Sequence, residues 1–372
     1  MHSALLFFVF LTFCYGDGFY EGDSIVEEGV RAFYNYRFDE SVEILTEARV
    51  KYPNHPGVHM IWAASRWVRA KALYSTERSN QVLEADLKTI QPIYDNLSKK
   101  YNYDPNYKLY KGSSIGLSAR VTLGKKQWIK TFYRAYLGFS IIDDLYENNS
   151  QNADINLPIG IVEYYSGISN KFIKFILKAY GIDPSIDSGL NKIESAAEDG
   201  NWSWIEAKGI LCYLYLWIED NPIMAYKHSE NLVEHFPNNF YFNILNLESL
   251  IRNGKKDQAL KKIKQLDKML FKLTPRQKEW YLPYLNYEKA LHYFYQKNYK
   301  KAINLLNLTI EDYSAELDII LGNAILLRGM AYDMTNQRIK AKINYRTCLK
   351  LDNLSLAMDK AKIYLEKPFQ GN

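Results

Sequence analysis

The stretch Tyr213–Leu270, YLYLWIEDNPIMAYKHSENLVEHFPNNFYFNILNLESLIRNGKKDQALKKIKQLDKML, decides the fold. It carries one pattern twice, centred on Ala225 and on Ala259, which lie 34 residues apart. Each alanine is a small anchor in a run of apolar residues. Nine before the anchors stand Leu216 and Leu250, and twelve before stand Tyr213 and Leu247. Seven after them stand Leu232 and Leu266, and Pro237 follows the first anchor by twelve. Steps of three, four and seven keep side chains on one helix face. The small residue lets a second helix cross closely, and a proline stops the helix before it, having no N–H to donate. The pattern therefore predicts a hairpin of two helices, each with one apolar stripe.

Outward from this stretch the pattern recurs at Ser41, Ala302 and Ala341. Residues nine before these are Ala32, Tyr293 and Tyr332; twelve before, Gly29, Ala290 and Gly329; four after, Leu45, Leu306 and Tyr345. Pro53 closes the Ser41 copy. This order of small, aromatic and proline positions resembles the tetratricopeptide repeat, whose unit is 34 residues. The likeness covers about 20–54 and 205–352, with longer intervals of 43 and 39 residues between the last anchors. The resemblance implies an all-α, right-handed superhelical solenoid of tetratricopeptide-like hairpins. It also implies a non-catalytic role in holding a partner. The middle block, with Gly160–Tyr165, Ser188-Gly189-Leu190 and Glu206-Ala207, is more weakly similar to tetratricopeptide proteins of the mitochondrial outer membrane and of inclusion clearance.

Between the clear copies helical periodicity continues. Leu83, Leu87, Ile90, Ile93, Tyr94 and Leu97 mark one helix. Pro158 reads as the first turn of a helix, Ile161–Tyr180 as one long helix, and Asp187–Asp199 as a short one closed by Gly200. Gly112-Ser113-Ser114-Ile115-Gly116 has the glycines of a phosphate loop without the following Lys-Ser/Thr, and reads as a close helix crossing. The polar patch Glu147–Asn152 reads as a long loop. The expected organisation is a leader over 1–16, N-terminal hairpins over 17–150, a degenerate segment over 151–204 and a C-terminal array over 205–372.

The leader is MHSALLFFVFLTFCYG. Its apolar run of about ten residues is half of the roughly twenty that a membrane span needs, so it reads as a cleaved export signal with Asp17 as the mature start. Leu11-Thr12-Phe13-Cys14 also resembles a lipobox, with Cys14 as a lipid-anchor candidate. The expected location is the periplasm or outer-membrane periphery of a bacterium. Five Asn-x-Ser/Thr sequons occur in this Asn-rich chain, at Asn96, Asn148, Asn201, Asn307 and Asn353, and chance explains them. The mature chain keeps two cysteines, Cys212 and Cys348, which read as small buried hydrophobes rather than a disulfide framework.

The net charge of +5, from 47 basic and 42 acidic residues, is small and scattered, which argues for solvated helix faces and against a nucleic-acid surface. No phosphate loop, nucleophile elbow or zinc spacing is present in the sequence, so neither a cofactor nor a metal is expected. The histidines, among them His55, His59, His228, His235 and His292, read as ordinary surface or groove residues. In the repeat family the first helices of successive hairpins line the concave side. Carrying those positions over gives Tyr241, Ile244, Glu248 and Arg252; then Tyr284, Tyr287, Leu291, Phe294 and Tyr295; then Asn323, Leu326, Met330 and Asp333. Of these, Tyr241, Glu248, Arg252, Tyr284, Tyr287, Phe294, Tyr295 and Asp333 are the candidate partner-binding residues. The rings either pack against neighbouring hairpins or a terminal helix, or form a groove for a protein or peptide partner. A glycan- or nutrient-binding role is the alternative, since exposed rings also stack on sugars.

Overall fold

The computed structural model describes residues 20–371 apart from 125–126, 149–151, 170, 180, 202, 316, 352 and 354. The expected leader and Cys14 lie outside the described residues, as do Asn149–Gln151 of the polar patch. The fold is all-α, with no strand among the described residues. Two compact units divide the chain between Leu211 and Cys212.

In the N-terminal unit, α1 (Asp23–Tyr34) pairs with α2 (Phe38–Lys51), α3 (Val58–Leu73) with α4 (Thr76–Lys100), and α5 (Pro105–Gly124) with α6 (Trp128–Asn148). Then α7 (Ala153–Ile168) packs on α9 (Ile186–Asp199), with the short α8 (Lys171–Ala179) between them in the chain. The division between units falls inside α10 (Trp204–Trp217). The C-terminal unit continues with α11 (Pro222–His235), then the hairpins α12 (Phe240–Arg252) with α13 (Lys256–Lys272), α14 (Pro275–Tyr295) with α15 (Tyr299–Glu311), and α16 (Ile319–Met334) with α17 (Arg338–Cys348). Helix α18 (Leu356–Glu366) follows.

The anchor pattern explains these hairpins. Ser41, Ala225, Ala259, Ala302 and Ala341 are all completely buried. Where the residue twelve before the anchor is glycine, it lies against the residue four after. A Cβ on Gly29 would stand 2.6 Å from Leu45, and one on Gly329 would stand 2.5 Å from the Tyr345 ring. In these two hairpins the first helix thus lays its glycine under a large side chain of the second. The Ser41 hydroxyl donates to the Gly29 carbonyl at 2.8 Å, so the one polar anchor is satisfied locally.

The turns share a feature that the sequence pattern did not announce. Tyr36, Gly254, Lys297 and Asn336 each stand five residues before an anchor and have φ of 62°, 72°, 61° and 57°. The next residue donates its N–H back to the carbonyl nine before the anchor: Arg37 to Ala32, Lys255 to Leu250, Asn298 to Tyr293 and Gln337 to Tyr332, at 2.8–3.0 Å. A left-handed residue just past a helix end closes the last turn in this way and satisfies carbonyls that would otherwise lack a donor. Asp220, five before Ala225, is also left-handed at 55°. There Asn221 donates to Tyr215 instead, one residue further back.

The α5–α6 and α7–α9 crossings of the N-terminal unit rest on glycine instead. A Cβ on Gly138 of α6 would stand 2.7 Å from the Gly112 carbonyl oxygen and 2.8 Å from the Gly116 nitrogen of α5. One on Gly189 of α9 would stand 2.5 Å from the Tyr164 nitrogen of α7. The Gly112–Gly116 segment is therefore a backbone-on-backbone crossing.

Three expectations are corrected. Helix α7 begins at Ala153, where the Asn152 side chain accepts the Asp154 N–H, so Pro158 lies inside the helix. The expected long helix over Ile161–Tyr180 breaks at Ser169, whose hydroxyl donates to the Tyr165 carbonyl at 2.7 Å, and α8 starts after it. Several histidines are interior rather than surface residues. His55 donates to Asp23 at 2.8 Å and accepts from the Gly57 N–H. His59 donates to the Pro53 carbonyl at 2.8 Å and accepts from Arg49 at 2.9 Å. Burial above all holds His59 down at about 4, against the opposing pull of the Pro53 carbonyl. Among the sequons, Asn353 is buried and its amide is used, donating to Asp318 and accepting from Ser355. Cys212 and Cys348 are both buried, the first donating to the Ala225 carbonyl and the second to the Gly322 carbonyl, and burial pushes Cys348 up to about 12.

Candidate functional site

Within the C-terminal unit the first helices of the hairpins form a continuous row. Helix α12 packs on α14, α14 on α16 and α16 on α18, in addition to their hairpin partners. Their common face bounds a groove of about 390 Å³. Glu248 and Arg252 contribute from α12; Tyr287, Leu291, Phe294 and Tyr295 from α14; Asn323, Leu326 and Met330 from α16; and Leu356, Lys360 and Tyr364 from α18. Leu291 follows Tyr287 by four residues, and Phe294 and Tyr295 follow Leu291 by three and four, spacings that hold these side chains on one helix face. Phe369, Gln370 and Gly371, beyond α18, close one end.

One wall is a ladder of charges. Arg252 donates to the Leu216 carbonyl and to Asp220, and stands 3.4 Å from Glu248. Asp220 in turn accepts from Lys360 at 2.8 Å. The other Glu248 oxygen accepts from the Trp217 indole at 2.7 Å. Behind this wall Glu288 is fully buried. Burial, and then the neighbouring Glu248 charge, push the Glu288 carboxyl well up. The arrangement places alternating charges between an apolar core and an aromatic channel. Buried charges of this kind require partners on every side, which is why Arg252 has three.

The candidate residues from the sequence divide into four sets. Tyr287, Phe294 and Tyr295 come together in the groove, with Tyr295 the most open at 53% exposed. Glu248 and Arg252 also line it, but as members of the internal ladder. Tyr241 and Tyr284 do not line it. Tyr284 stacks on Tyr313 with centroids 6.3 Å apart and meets Tyr281, which packs on Phe240 at 5.0 Å. These rings join the start of α12 to the N-terminal half of α14, which is 21 residues long and extends past the groove.

Asp333 has a 1% exposed side chain that is already engaged. It accepts from Arg338 at 3.0 and 3.1 Å, from the Tyr345 hydroxyl at 2.8 Å and from the Phe369 N–H at 2.9 Å. Asp220, Lys360, Tyr364 and Phe369 escaped the sequence reading. The first is a turn residue and the others lie beyond the last anchored hairpin, where repeat offsets give no guide. Pro368-Phe369 was the only local signal, an aromatic after a residue that cannot extend a helix.

No protein-family model matches the chain, and no curated protein matches it. Among solved structures it is similar to yeast Tom70, at 12% identity over 92% of this chain and 87% of that one, with a TM-score of 0.35. It is similar to a human IFIT1 dimer with m7Gppp-AAAA, at 13% identity over 94% and 82%, with a TM-score of 0.42. It is also similar to the P58(IPK) TPR domain, at 12% identity over 93% and 96%, with a TM-score of 0.27. At such scores none of the three bears on what this chain binds.

Proposed function

We propose that the chain is a non-catalytic interaction scaffold whose C-terminal groove holds an extended segment of a protein partner. The observation that carries this is the convergence of Tyr287, Phe294 and Tyr295 with the paired cations Arg252 and Lys360 on one open channel. Aromatic and arginine side chains in partly desolvated pockets dominate binding energy in protein interfaces. A row of first helices also presents such a channel as a preformed surface, which lowers the ordering cost of association.

Photo-cross-linking tests the groove. A photoreactive phenylalanine at Tyr295 gives a discrete adduct with the partner in a cell-envelope extract, whereas the same group at Phe271, 82% exposed on α13, gives none. Tyr287→Ala lowers the yield at position 295 by about tenfold or more, the scale of a hot-spot loss. Equal adducts from both positions defeat the reading. Export to a bacterial envelope is part of the proposal and is supported by the apolar run over Ala4–Phe13. Mass spectrometry of the mature N-terminus checks it: a chain starting at Asp17 or at a lipidated Cys14 supports export, and one retaining Met1 opposes it.

A further inference from the structure

We infer that the groove recognises an extended peptide through one aromatic side chain and that residue's own backbone N–H, and that Glu366–Gly371 occupies this place in cis until such a peptide displaces it. The inference rests on the groove reading above and names both its ligand chemistry and its resident occupant.

The geometry of the segment carries the argument. Helix α18 ends at Glu366, and Arg338 fixes the exit by donating to the Leu365 carbonyl at 2.9 Å. Lys367 is extended, with φ −113° and ψ 128°, and Pro368 forbids a return to helix. Phe369 then turns into the groove. Its ring meets Phe294 at 5.9 Å and Tyr364 at 5.2 Å between centroids. Its N–H donates to Asp333 at 2.9 Å. Asp333 is held for this by Arg338 and the Tyr345 hydroxyl, so the acceptor is built before any ligand arrives.

Nothing else in the segment is sunk. Lys367, Pro368, Gln370 and Gly371 are exposed, and Phe369 is half-buried. An acceptor on the backbone N–H reads no side-chain identity, and the ring slot asks only for an aromatic group. A foreign extended peptide meets both demands as well as the tail does. It also reaches Tyr295, which the tail leaves 53% exposed. The tail's advantage is its tether, which gives an effective concentration in the millimolar range for a short connection. A contact this small is therefore filled at rest and yields to a longer ligand.

The probe is the acetylated, amidated peptide Glu-Lys-Pro-Phe-Gln-Gly, titrated to millimolar concentration into the full chain and followed by saturation-transfer NMR. Phe369→Ala, in a half-buried position beyond the last helix, empties the slot and binds the probe at least tenfold more tightly than the unaltered chain. Adding Asp333→Asn to that variant reverses the gain. Equal binding by the unaltered chain and Phe369→Ala, or binding by neither, overturns the inference. Hydrogen exchange gives a second readout: the Phe369 amide exchanges at least tenfold more slowly in the unaltered chain than in Asp333→Asn, and equal rates overturn the inference too. An adduct at Tyr295 with no tail effect defeats only the tail. A tail effect with no adduct at Tyr295 defeats only the partner reading.

Discussion

The described residues up to Leu211 and the unit Cys212–Asn372 bring helices together by different means. In the C-terminal unit an anchor alanine sits on the second helix of each hairpin, the chain turns through a left-handed residue five positions earlier, and contact is made by side chains. At α5–α6 and α7–α9 of the N-terminal unit glycine lies against backbone, with no side chain between. The α1–α2 hairpin belongs to the first kind although it lies in the N-terminal unit, with Gly29 under Leu45 and Tyr36 in the left-handed turn. An anchored hairpin fixes the spacing between its turn and its contact, so it leaves a repeat in the sequence. A glycine crossing can fall anywhere along two long helices and leaves none.

The sharpest way to break this comparison is to add one methyl group to each kind of contact. In Gly189→Ala the new Cβ meets the Tyr164 nitrogen at 2.5 Å. Backbone cannot step aside, so the cost is about 3 kcal/mol, read as a lower denaturant midpoint for the N-terminal unit. In Gly329→Ala the obstacle is the Tyr345 ring, which can tilt, and alanine's better helix propensity offsets part of the strain. The expected loss there is about 1 kcal/mol. Equal losses would mean that the two contacts are not different in kind.

A second test uses acid. His59 in the N-terminal unit is neutral when folded, with its pKa held near 4 against 6.5 when free. Above pH 6.5 both states are neutral and His59 contributes no pH dependence. Between 6.5 and 4 only the unfolded chain takes up the proton, so stability falls with pH, by up to about 3 kcal/mol in total. His59→Gln keeps a donor for the Pro53 carbonyl and removes this slope. Unfolding curves at pH 7 and pH 4.5 for both chains measure it, and an unchanged difference between them would refute the assignment.

The smallest effect concerns the turns. Lys297 carries a side chain at φ 61°, where Gly254 at φ 72° does not. Lys297→Gly stabilises by up to about 1 kcal/mol, and Gly254→Ala, into open space, destabilises by a similar amount. Opposite shifts in the thermal midpoint confirm that the two turns are the same structure.

Much of this was legible in the residues. The five anchors, their partners four residues on and the helix stops at Pro53 and Pro237 were visible because each acts within one hairpin. The breaks around α7 and α8 were not, since the Asn152 and Ser169 caps are ordinary polar residues until their backbone partners are known. The groove was half legible. Tyr287, Phe294 and Tyr295 followed from helix phase, whereas Tyr241 and Tyr284 share that phase but lie too early along their helices. Asp333 is not among the groove-lining residues and is instead engaged by Arg338, the Tyr345 hydroxyl and the Phe369 N–H of its own chain.

By itself the sequence determined that this protein is a row of helical hairpins, because small anchors, periodic apolar residues and chain stops act over a few turns of one helix. Only the tertiary structure decided where the rows open a channel, which charges lie behind its wall, and that Phe369 fills one end. Those outcomes depend on side chains brought together from hairpins far apart in the chain, and no spacing along a single helix encodes where a distant segment comes to rest.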